Sequence, residues 1–315
     1  MGMEEETVRV TGTLIGGGFG GKEDIAGQIH VAMLATVTGL PVKMLYSRQE
    51  SLIFHPKRHA TIIRMKTGAK RDGKLTAVQA ELYGDGGAYA SLSDKVMTRA
   101  TTHATGPYEV PHAKIDCYAM YTNNVPSGAF RGFGAPQTEF AAEMQVNRAA
   151  DALKMSPLEL RRKWAYRLGD TTPSEQVLRE SVAAHEVLER AAEAAEFERI
   201  RAQTARQRDG RGAAAESAVL SSPKERTARG IGLAMAWHGA GFTGSGEVYL
   251  ASVASLELGA NGDIRVLTAS TEMGQGTKTI FPQLAAEELG VPIEAVGMAP
   301  QDTSIVPDSG PTVAS

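Results

Sequence analysis

The sequence predicts a mixed α/β or α+β fold in two parts, and three observations lead to this prediction. Short β-branched or alternating segments typical of strands occur in both halves of the 315-residue chain, such as residues 59–68 and 263–269. Segments with the apolar spacing of helices lie between and after them, such as residues 137–153 and 277–289. Residues 199–228 are rich in Arg, Ala, Ser and Glu without an apolar period, which indicates an exposed connector that is partly helical or disordered. The predicted domains are residues 1–198 and 229–315.

The first half is expected to contain most of the elements. Residues 7–15 predict a strand, and a glycine loop at residues 16–21 leads into a helix from about Glu23 to Thr38. The sequence Gly39-Leu40-Pro41 ends this helix, and Arg71-Asp72-Gly73-Lys74 predicts a hairpin turn. Further strands are predicted at residues 42–46, 59–68, 75–84 and 113–121, loops at 85–88 and 122–136, and helices at 137–153, 156–166 and 174–197.

The second half is predicted to begin with strands and to end with a helix and a loop. The strands are expected at residues 230–238, 247–258 and 263–269, the last after a turn at Asn261-Gly262. The helix at residues 277–289 follows the loop Gly274-Gln275-Gly276. The sequence contains no evident internal repeat.

Composition and charge exclude several classes of protein. The net charge is −3 and apolar residues make up 42% of the chain, so nucleic acid is not an expected partner. The one cysteine, Cys117, cannot form an internal disulfide or a four-cysteine iron–sulfur site. No apolar run is long enough for a membrane span, and the acidic N-terminus lacks the features of a signal peptide. We therefore expect a cytoplasmic protein, and both abrupt ends suggest a longer fold cut at each side.

The sequence GGGFGGKE at residues 16–23 has three interpretations by itself. Gly16, Gly18 and Gly21 satisfy the spacing of a dinucleotide-binding loop, but no acidic residue ends the next predicted strand. Gly16, Gly21 and Lys22 nearly satisfy a phosphate-binding loop, but Glu23 stands where a Ser or Thr is needed. The third interpretation is a tight structural turn before a helix, with Glu23 favourably placed near the helix N-terminus.

Further segments give the glycine loop a context. The segments are GGGFGGKE at 16–23, GAFRGFGAPQ at 128–137, EMGQG at 272–276, and DTSIVP at 302–307 followed by SGPTVAS at 309–315. In this order and spacing they resemble the molybdopterin-binding chain of the xanthine dehydrogenase and aldehyde oxidase family, over nearly the whole sequence. The resemblance implies the molybdenum-cofactor-binding fold of that family. It also implies a molybdenum held by a pterin dithiolene, expected as the cytosine dinucleotide, with no protein side chain as metal ligand.

The resemblance assigns cofactor contacts to residues in each segment. The Phe19-Gly20 backbone is expected beside the oxygen ligands of the metal, Arg131 and Gln275 are expected to contact the cofactor, and Ala314 with its neighbours is expected to close the site. Without the family, Arg131 is a loop-fixing arginine and Gln275 a helix cap. The expected cofactor-binding residues are Gly18, Phe19, Gly20, Arg131, Gln275, Thr312, Ala314 and Ser315.

The resemblance also implies a pocket for a nitrogen heterocycle such as a purine. Glu23 would accept hydrogen bonds from ring N–H groups or share a proton with the ring, and Arg99 would stabilise negative charge that develops on the ring. Phe133 and Phe242 would sandwich the flat ring, with Thr243 nearby. The alternative is that the two phenylalanines are ordinary core residues and that Arg99 is a solvated charge.

Several parts of such an enzyme are expected outside this sequence. The family's general-base glutamate cannot be assigned to any residue here, so no catalytic residue is predicted and the chain alone is expected to be inactive. The expected partners are the remainder of the molybdenum subunit, an iron–sulfur subunit and an FAD subunit. Two other functions stay open from the sequence: an NAD-binding dehydrogenase that uses the glycine loop, and a non-catalytic assembly module.

Overall fold

The computed structural model describes residues 2–214, 230–239, 241 and 251–313. In the first half the strands are β1 (Thr61–Ala69), β2 (Leu75–Gly87) and β3 (Ala113–Tyr121). The helices there are α1 (Gln28–Thr38), α2 (Arg48–Phe54), α3 (Ser93–Thr102), α4 (Ala135–Leu153), α5 (Pro157–Trp164), α6 (Ala184–Ala194) and α7 (Phe197–Ala214). The second half contains β4 (Ser255–Leu258), β5 (Ile264–Leu267), α8 (Thr277–Leu289) and β6 (Val296–Met298). No helix in these ranges is long and apolar enough to cross a membrane.

The two sheets share one topology. β1 and β2 form an antiparallel hairpin, and β3 then joins β2 in parallel after the chain passes through α3. β4 and β5 form a second hairpin, and β6 joins β5 in parallel after α8. A parallel pair needs a long crossover connection, which each helix provides. The backbone path therefore recurs although the sequence contains no evident repeat.

The main core lies between the first sheet and the helices that follow it. α4 packs against β1 and α3, and α5 packs against α4. β2 alternates between buried and less buried positions over most of its length, as expected for a strand with one face on the core. The largest buried cluster consists of Leu75, Val78, Tyr108, Val110, Val146, Ala150, Leu160 and Trp164. This packing fixes the positions of α3 and α4, which carry residues of the candidate site.

The predicted strand at residues 7–15 is wrong. Among the described residues, its one strand-type pairing is an isolated antiparallel bridge between Thr11 and Asp302. The Gly12 amide donates to the Gln301 carbonyl over 2.7 Å, and the Arg9 guanidinium forms a 2.5 Å salt bridge with Asp302. Because this contact spans only a few residues, it forms no ladder, but it joins the start of the chain to its last segment.

Several helix boundaries also differ from the prediction. α1 begins at Gln28 rather than near Glu23, because residues 20–27 form a series of turns that places the glycine loop. The predicted helix at 174–197 is wrong for residues 174–183, where Thr171 and Val177 form a small bridge instead. The predicted strands at 42–46 and 230–238 are wrong, since neither segment has a ladder partner among the described residues.

Two helices escaped the sequence analysis. α2 begins with a capping box in which Ser47 and Glu50 bond each other's backbone amides, a signature that the sequence displays. α3 has no such cap at its N-terminus. The strands β1 and β3 and the helices α4, α5 and α8 confirm the sequence predictions within a few residues. Of the predicted connector at 199–228, residues 199–214 belong to α7, and residues 215–229 lie outside the described residues.

A buried ion pair ties α4 to α5. The Arg161 guanidinium, which is fully buried, donates to Glu143 over 2.6 and 3.0 Å and to the Asn147 side chain over 3.1 Å. The Tyr108 hydroxyl also donates to Glu143. The network satisfies a charge that would otherwise be expensive to bury.

We predict that Glu143→Ala lowers the free energy of unfolding by about 3–5 kcal/mol, because it leaves the Arg161 charge buried and unpaired. The control is Glu189→Ala, which removes the exposed 2.6 Å pair between α6 and Arg162 and should cost less than about 1 kcal/mol. Urea unfolding followed by circular dichroism measures both. Equal losses of unfolding free energy in the two variants would contradict the role of Glu143 as the buried counterion of Arg161.

Candidate functional site

The glycine loop (residues 16–21) has a backbone that side chains other than glycine rarely allow. Gly17 and Gly20 have φ angles of 89° and 80°, and Phe19 itself has a φ of 55°. A Cβ atom on Gly17 would overlap the Phe19 ring, which lies folded over that glycine. A Cβ atom on Gly20 would lie 2.7 Å from the backbone of Ala129 and Phe130. The glycines therefore allow a close approach between this loop and the next motif.

The arginine loop (residues 128–137) packs directly on the glycine loop. The Arg131 amide donates to the Phe19 carbonyl over 3.0 Å, and the Arg131 guanidinium lies over the Phe19 ring at 5.7 Å from its centroid. Arg58 supports this loop from the other side. Its guanidinium donates to the Arg131 carbonyl over 2.7 Å and stacks on the Phe130 ring at 4.3 Å.

The glutamine loop (residues 272–276) contacts the opposite end of the glycine loop. The Gly17 amide donates to the Met273 carbonyl over 2.8 Å, and the Ile15 amide donates to the Glu272 carbonyl over 3.2 Å. The Gln275 side chain is exposed, accepts from the Met273 amide over 2.6 Å and donates to the Thr271 carbonyl over 2.8 Å. The structure thus connects Phe19, Arg131 and Gln275 through short contacts.

The last motif joins the same assembly. The Thr271 amide donates to the Thr312 hydroxyl over 2.9 Å. Four segments separated by up to about 300 residues in sequence therefore meet around the glycine loop. Ala314 and Ser315, which the sequence analysis also assigned to the site, lie outside the described residues.

Glu272 is a structural residue that sequence reasoning missed. Its carboxylate accepts hydrogen bonds from the amides of Gly274, Gly276 and Lys278 and from the Thr277 hydroxyl. These bonds lower the pKa of Glu272 to about 2. Glu272 is therefore the side chain that satisfies the start of α8, so Gln275 is not needed as the helix cap. The acidic residue just before a helix is the signal that could have identified it.

Glu23 lies half-buried after the glycine loop. Burial raises its pKa to about 7, with a smaller contribution from the neighbouring Asp24 charge. One carboxyl oxygen of Glu23 is buried and has no hydrogen-bond partner among the described residues. The neighbouring Asp24 accepts from the Ser91 hydroxyl through Oδ1, but its Oδ2 is likewise buried without a partner among the described residues. A buried carboxyl oxygen without a partner is a candidate contact for a bound molecule.

Arg99 lies on α3 and is 5% exposed, so it is not the solvated charge that the alternative interpretation proposed. Its guanidinium donates to the Gly239 carbonyl over 2.8 Å and the Gly241 carbonyl over 2.5 Å, and it contacts the His238 ring nitrogen Nε2 at 2.9 Å. Burial lowers the pKa of Arg99 from its ordinary high value. Arg99 thus holds the segment that leads to Phe242 and Thr243, which lie outside the described residues.

Phe133 belongs to the arginine loop and has a φ angle of 47°. Its amide donates to the Phe130 carbonyl over 2.7 Å. The next residue, Gly134, packs so closely on α3 that a Cβ atom would overlap the Val96 carbonyl. Gly134, the residue after Phe133, therefore lies directly beside α3, the helix that carries Arg99.

The structure does not support either nucleotide-binding interpretation of the glycine loop. Both need a strand directly before the loop and a helix N-terminus directly after it. Here residues 7–15 form only one isolated bridge, and α1 begins at Gln28, seven residues after the loop ends.

Comparison with known families fits this geometry. A model described as a molybdopterin cofactor-binding domain matches residues 1–165, and a second model of the same description matches residues 190–315. The chain belongs to the molybdenum hydroxylase family. The match confirms the mixed α/β fold with two molybdopterin-binding regions.

Relatives and solved structures agree with this membership. The chain is 47% identical over 195 residues, 62% of its length, to the nicotinate dehydrogenase large molybdopterin subunit of Eubacterium barkeri. It is 34% identical over 314 residues, 99% of its length, to a probable xanthine dehydrogenase subunit of Bacillus subtilis. The aldehyde oxidoreductase from Desulfovibrio gigas superposes with a TM-score of 0.72 at 30% identity and covers 98% of this chain. The chain spans 46%, 39% and 32% of these three proteins.

The residues present fit an anionic, oxygen-rich cofactor. Arg131 is exposed, and no carboxylate among the described residues pairs with its guanidinium. The amides of Phe19 and Gly20 likewise have no acceptor within the described part of the chain. Free backbone amides beside a glycine with positive φ, next to a guanidinium, are groups that bind phosphate and oxo ligands.

Glu23 gives a prediction about pH. The pKa of Glu23 is about 7 in the folded protein, whereas an unfolded chain has a value of about 4.3. The stabilisation from the protonated carboxyl is therefore complete below pH ~4.3 and is lost as the pH rises through 7. Glu23→Gln should remove this part of the decline in the free energy of unfolding between about pH 4 and 7. The exposed Glu159→Gln on α5 is the control. The explanation is wrong if the two variants show the same pH dependence in urea unfolding.

Gly20 gives a prediction about the loop contact. Gly20→Ala places a Cβ against the arginine-loop backbone at a positive φ, a strain of about 1–3 kcal/mol. We expect local opening, seen as faster hydrogen exchange of the Arg131 amide. Gly16→Ala is the matched control, because no atom lies within 4 Å of a Cβ there. Unchanged exchange in Gly20→Ala would contradict the close approach.

Proposed function

We propose that this chain supplies the molybdopterin-binding wall and part of the substrate pocket of a hydroxylase that oxidises a nitrogen heterocycle, with water as the oxygen source. The supporting observation is the convergence of the glycine, arginine and glutamine loops, which leaves the Arg131 guanidinium exposed beside the Phe19 ring. The heterocyclic substrate is supported by the 47% identity to a nicotinate dehydrogenase subunit.

The chain's own groups divide into those that hold the cofactor and those that hold the substrate. The amides of Phe19 and Gly20, the Arg131 guanidinium and the Gln275 side chain would bind the cofactor, with Gly18, Thr312, Ala314 and Ser315 around it. When bound, this group supplies the two-electron redox centre. Donors that the backbone already holds in place, such as the Phe19 and Gly20 amides, would lower the entropic cost of binding.

On the substrate side, Glu23 and Arg99 would act on a flat ring. Glu23, with a pKa near 7, can donate a proton to a ring nitrogen or accept a hydrogen bond from a ring N–H at neutral pH. Arg99 would stabilise negative charge that develops on the ring, and its burial strengthens that effect. Phe133 and Phe242 would contact the ring faces, with Thr243 beside them.

The proposed enzyme has further polypeptides and a cytoplasmic location. We propose that the remainder of a molybdenum subunit, an iron–sulfur subunit and an FAD subunit complete it, and that the pterin is the cytosine dinucleotide form. The boundary between the two domains is proposed within residues 199–228. The chain without these polypeptides is expected to be inactive.

Purification of the tagged chain from its own cells, with the polypeptides that accompany it, tests the proposal. We expect about one molybdenum per chain by mass spectrometry of the metal, release of cytidine monophosphate on hydrolysis, and oxidation of xanthine or nicotinate with a dye acceptor. Oxidation of aldehydes alone would reject the heterocyclic substrate, and a complex without molybdenum or pterin would reject the function.

Arg131→Met in the same complex should lower the molybdenum content about tenfold or more, since a hydrogen bond to a charged group contributes roughly 1.5–3 kcal/mol. Arg148→Met, which removes an exposed arginine on α4, should leave the content unchanged. Equal molybdenum in both variants would contradict a cofactor role for Arg131.

A further inference from the structure

Two buried carboxylates lie one turn apart on α4. Glu139 and Glu143 are 8% and 7% exposed. Glu143 has the Arg161 guanidinium as its counterion, whereas Glu139 has no basic partner among the described residues. A carboxylate without a counterion is costly to bury, so the contact that Glu139 makes instead is of interest.

Both carboxylates accept backbone amides from the same extended segment. The Met235 amide donates to Glu143 over 2.9 Å, and the Trp237 amide donates to Glu139 over 2.9 Å. Four residues of a helix rise about 6 Å, and two residues of an extended chain span about 6.6 Å. The two carboxylates therefore match the amide spacing of the segment and take the place of a neighbouring strand.

The segment then passes directly to Arg99. Only His238 separates Trp237 from Gly239, whose carbonyl accepts from Arg99 over 2.8 Å and whose amide donates to the His103 ring over 3.3 Å. Since arginine has only donors, the His238 nitrogen that contacts Arg99 must be an acceptor. The anchor at Trp237 therefore determines where the acceptors of the Arg99 guanidinium lie.

We propose that Glu139 is a positioning residue, which holds residues 237–239 through the Trp237 amide and thereby orients the Arg99 guanidinium in the substrate pocket. The role of Arg99 in this statement rests on the proposed function, whereas the anchoring of the segment does not. Glu139 itself touches neither cofactor nor substrate in this account.

Two substitutions of Glu139 separate anchoring from packing. Glu139→Gln keeps a carbonyl oxygen that can accept from the Trp237 amide. It also resembles the protonated carboxyl, which is well populated near neutral pH because burial raises the pKa of Glu139 to about 7. Glu139→Leu has a similar volume but removes the acceptor. The glutamine variant should therefore keep the hydrogen bond to the Trp237 amide that the leucine variant loses.

Hydrogen exchange in the purified complex tests the anchoring, whatever the complex catalyses. Glu139→Leu should speed exchange of the Trp237 amide by about fivefold or more, the effect of losing one hydrogen bond. Glu139→Gln should exchange like the unchanged protein. The proposal is overturned if the leucine variant exchanges normally, or if both variants exchange equally fast.

Steady-state kinetics test the link to Arg99. Glu139→Leu should lower kcat/KM for the heterocycle about five- to tenfold at unchanged molybdenum content, and Glu139→Gln should restore most of it. In an Arg99→Met background, Glu139→Leu should cause little further loss, because both changes act on one interaction. Additive losses would overturn the positioning role. A complex that contains no molybdenum, or that oxidises no heterocycle, would instead reject the proposed function. The hydrogen-exchange result would then decide by itself whether Glu139 anchors the segment.

Discussion

The hydrogen bond from the Arg131 amide to the Phe19 carbonyl is the contact on which the site depends. It forms only because Gly20 lets the backbone of the glycine loop meet the backbone of the arginine loop without a side chain between them. The same loop donates from Gly17 to the glutamine loop. One short loop therefore determines how far apart the Arg131 and Gln275 side chains lie, and any group bound between them must fit that separation.

Ion pairs and hydrogen bonds between residues distant in sequence hold the surrounding scaffold together. Arg9 and Asp302 join the start of the chain to its last segment, and several hydrogen bonds hold the pKa of Asp302 well below its usual range. Glu143 joins α4, α5 and the segment after the connector through Arg161 and the Met235 amide. The Arg9–Asp302 pair and the bond from the Met235 amide to Glu143 each join the first half of the chain to the second. The two predicted halves therefore depend on one another for their local geometry.

The sequence motifs identified the segments that meet around the glycine loop, whereas several of the elements around them were predicted wrongly. The glycine-rich motifs were recognisable because a backbone with positive φ favours glycine, as at Gly17 and Gly20, and the glycines themselves are visible in the sequence. The strand at 7–15 was predicted wrongly because alternation reports only an extended chain, and its partner near Asp302 lies almost 300 residues away. The segment at 230–238 failed for a related reason, since its amides bond the Glu139 and Glu143 side chains instead of a strand. Neither Glu139 nor Glu143 carried a local signal of that role.

The central claim is that four separated segments form one pocket for a molybdenum–pterin group. Anomalous diffraction at the molybdenum edge, from crystals of the purified complex, tests it most directly. The account predicts a single strong peak in the space bounded by the Phe19-Gly20 backbone, Arg131 and Gln275. A peak elsewhere in the complex, with that space filled only by water, would contradict it.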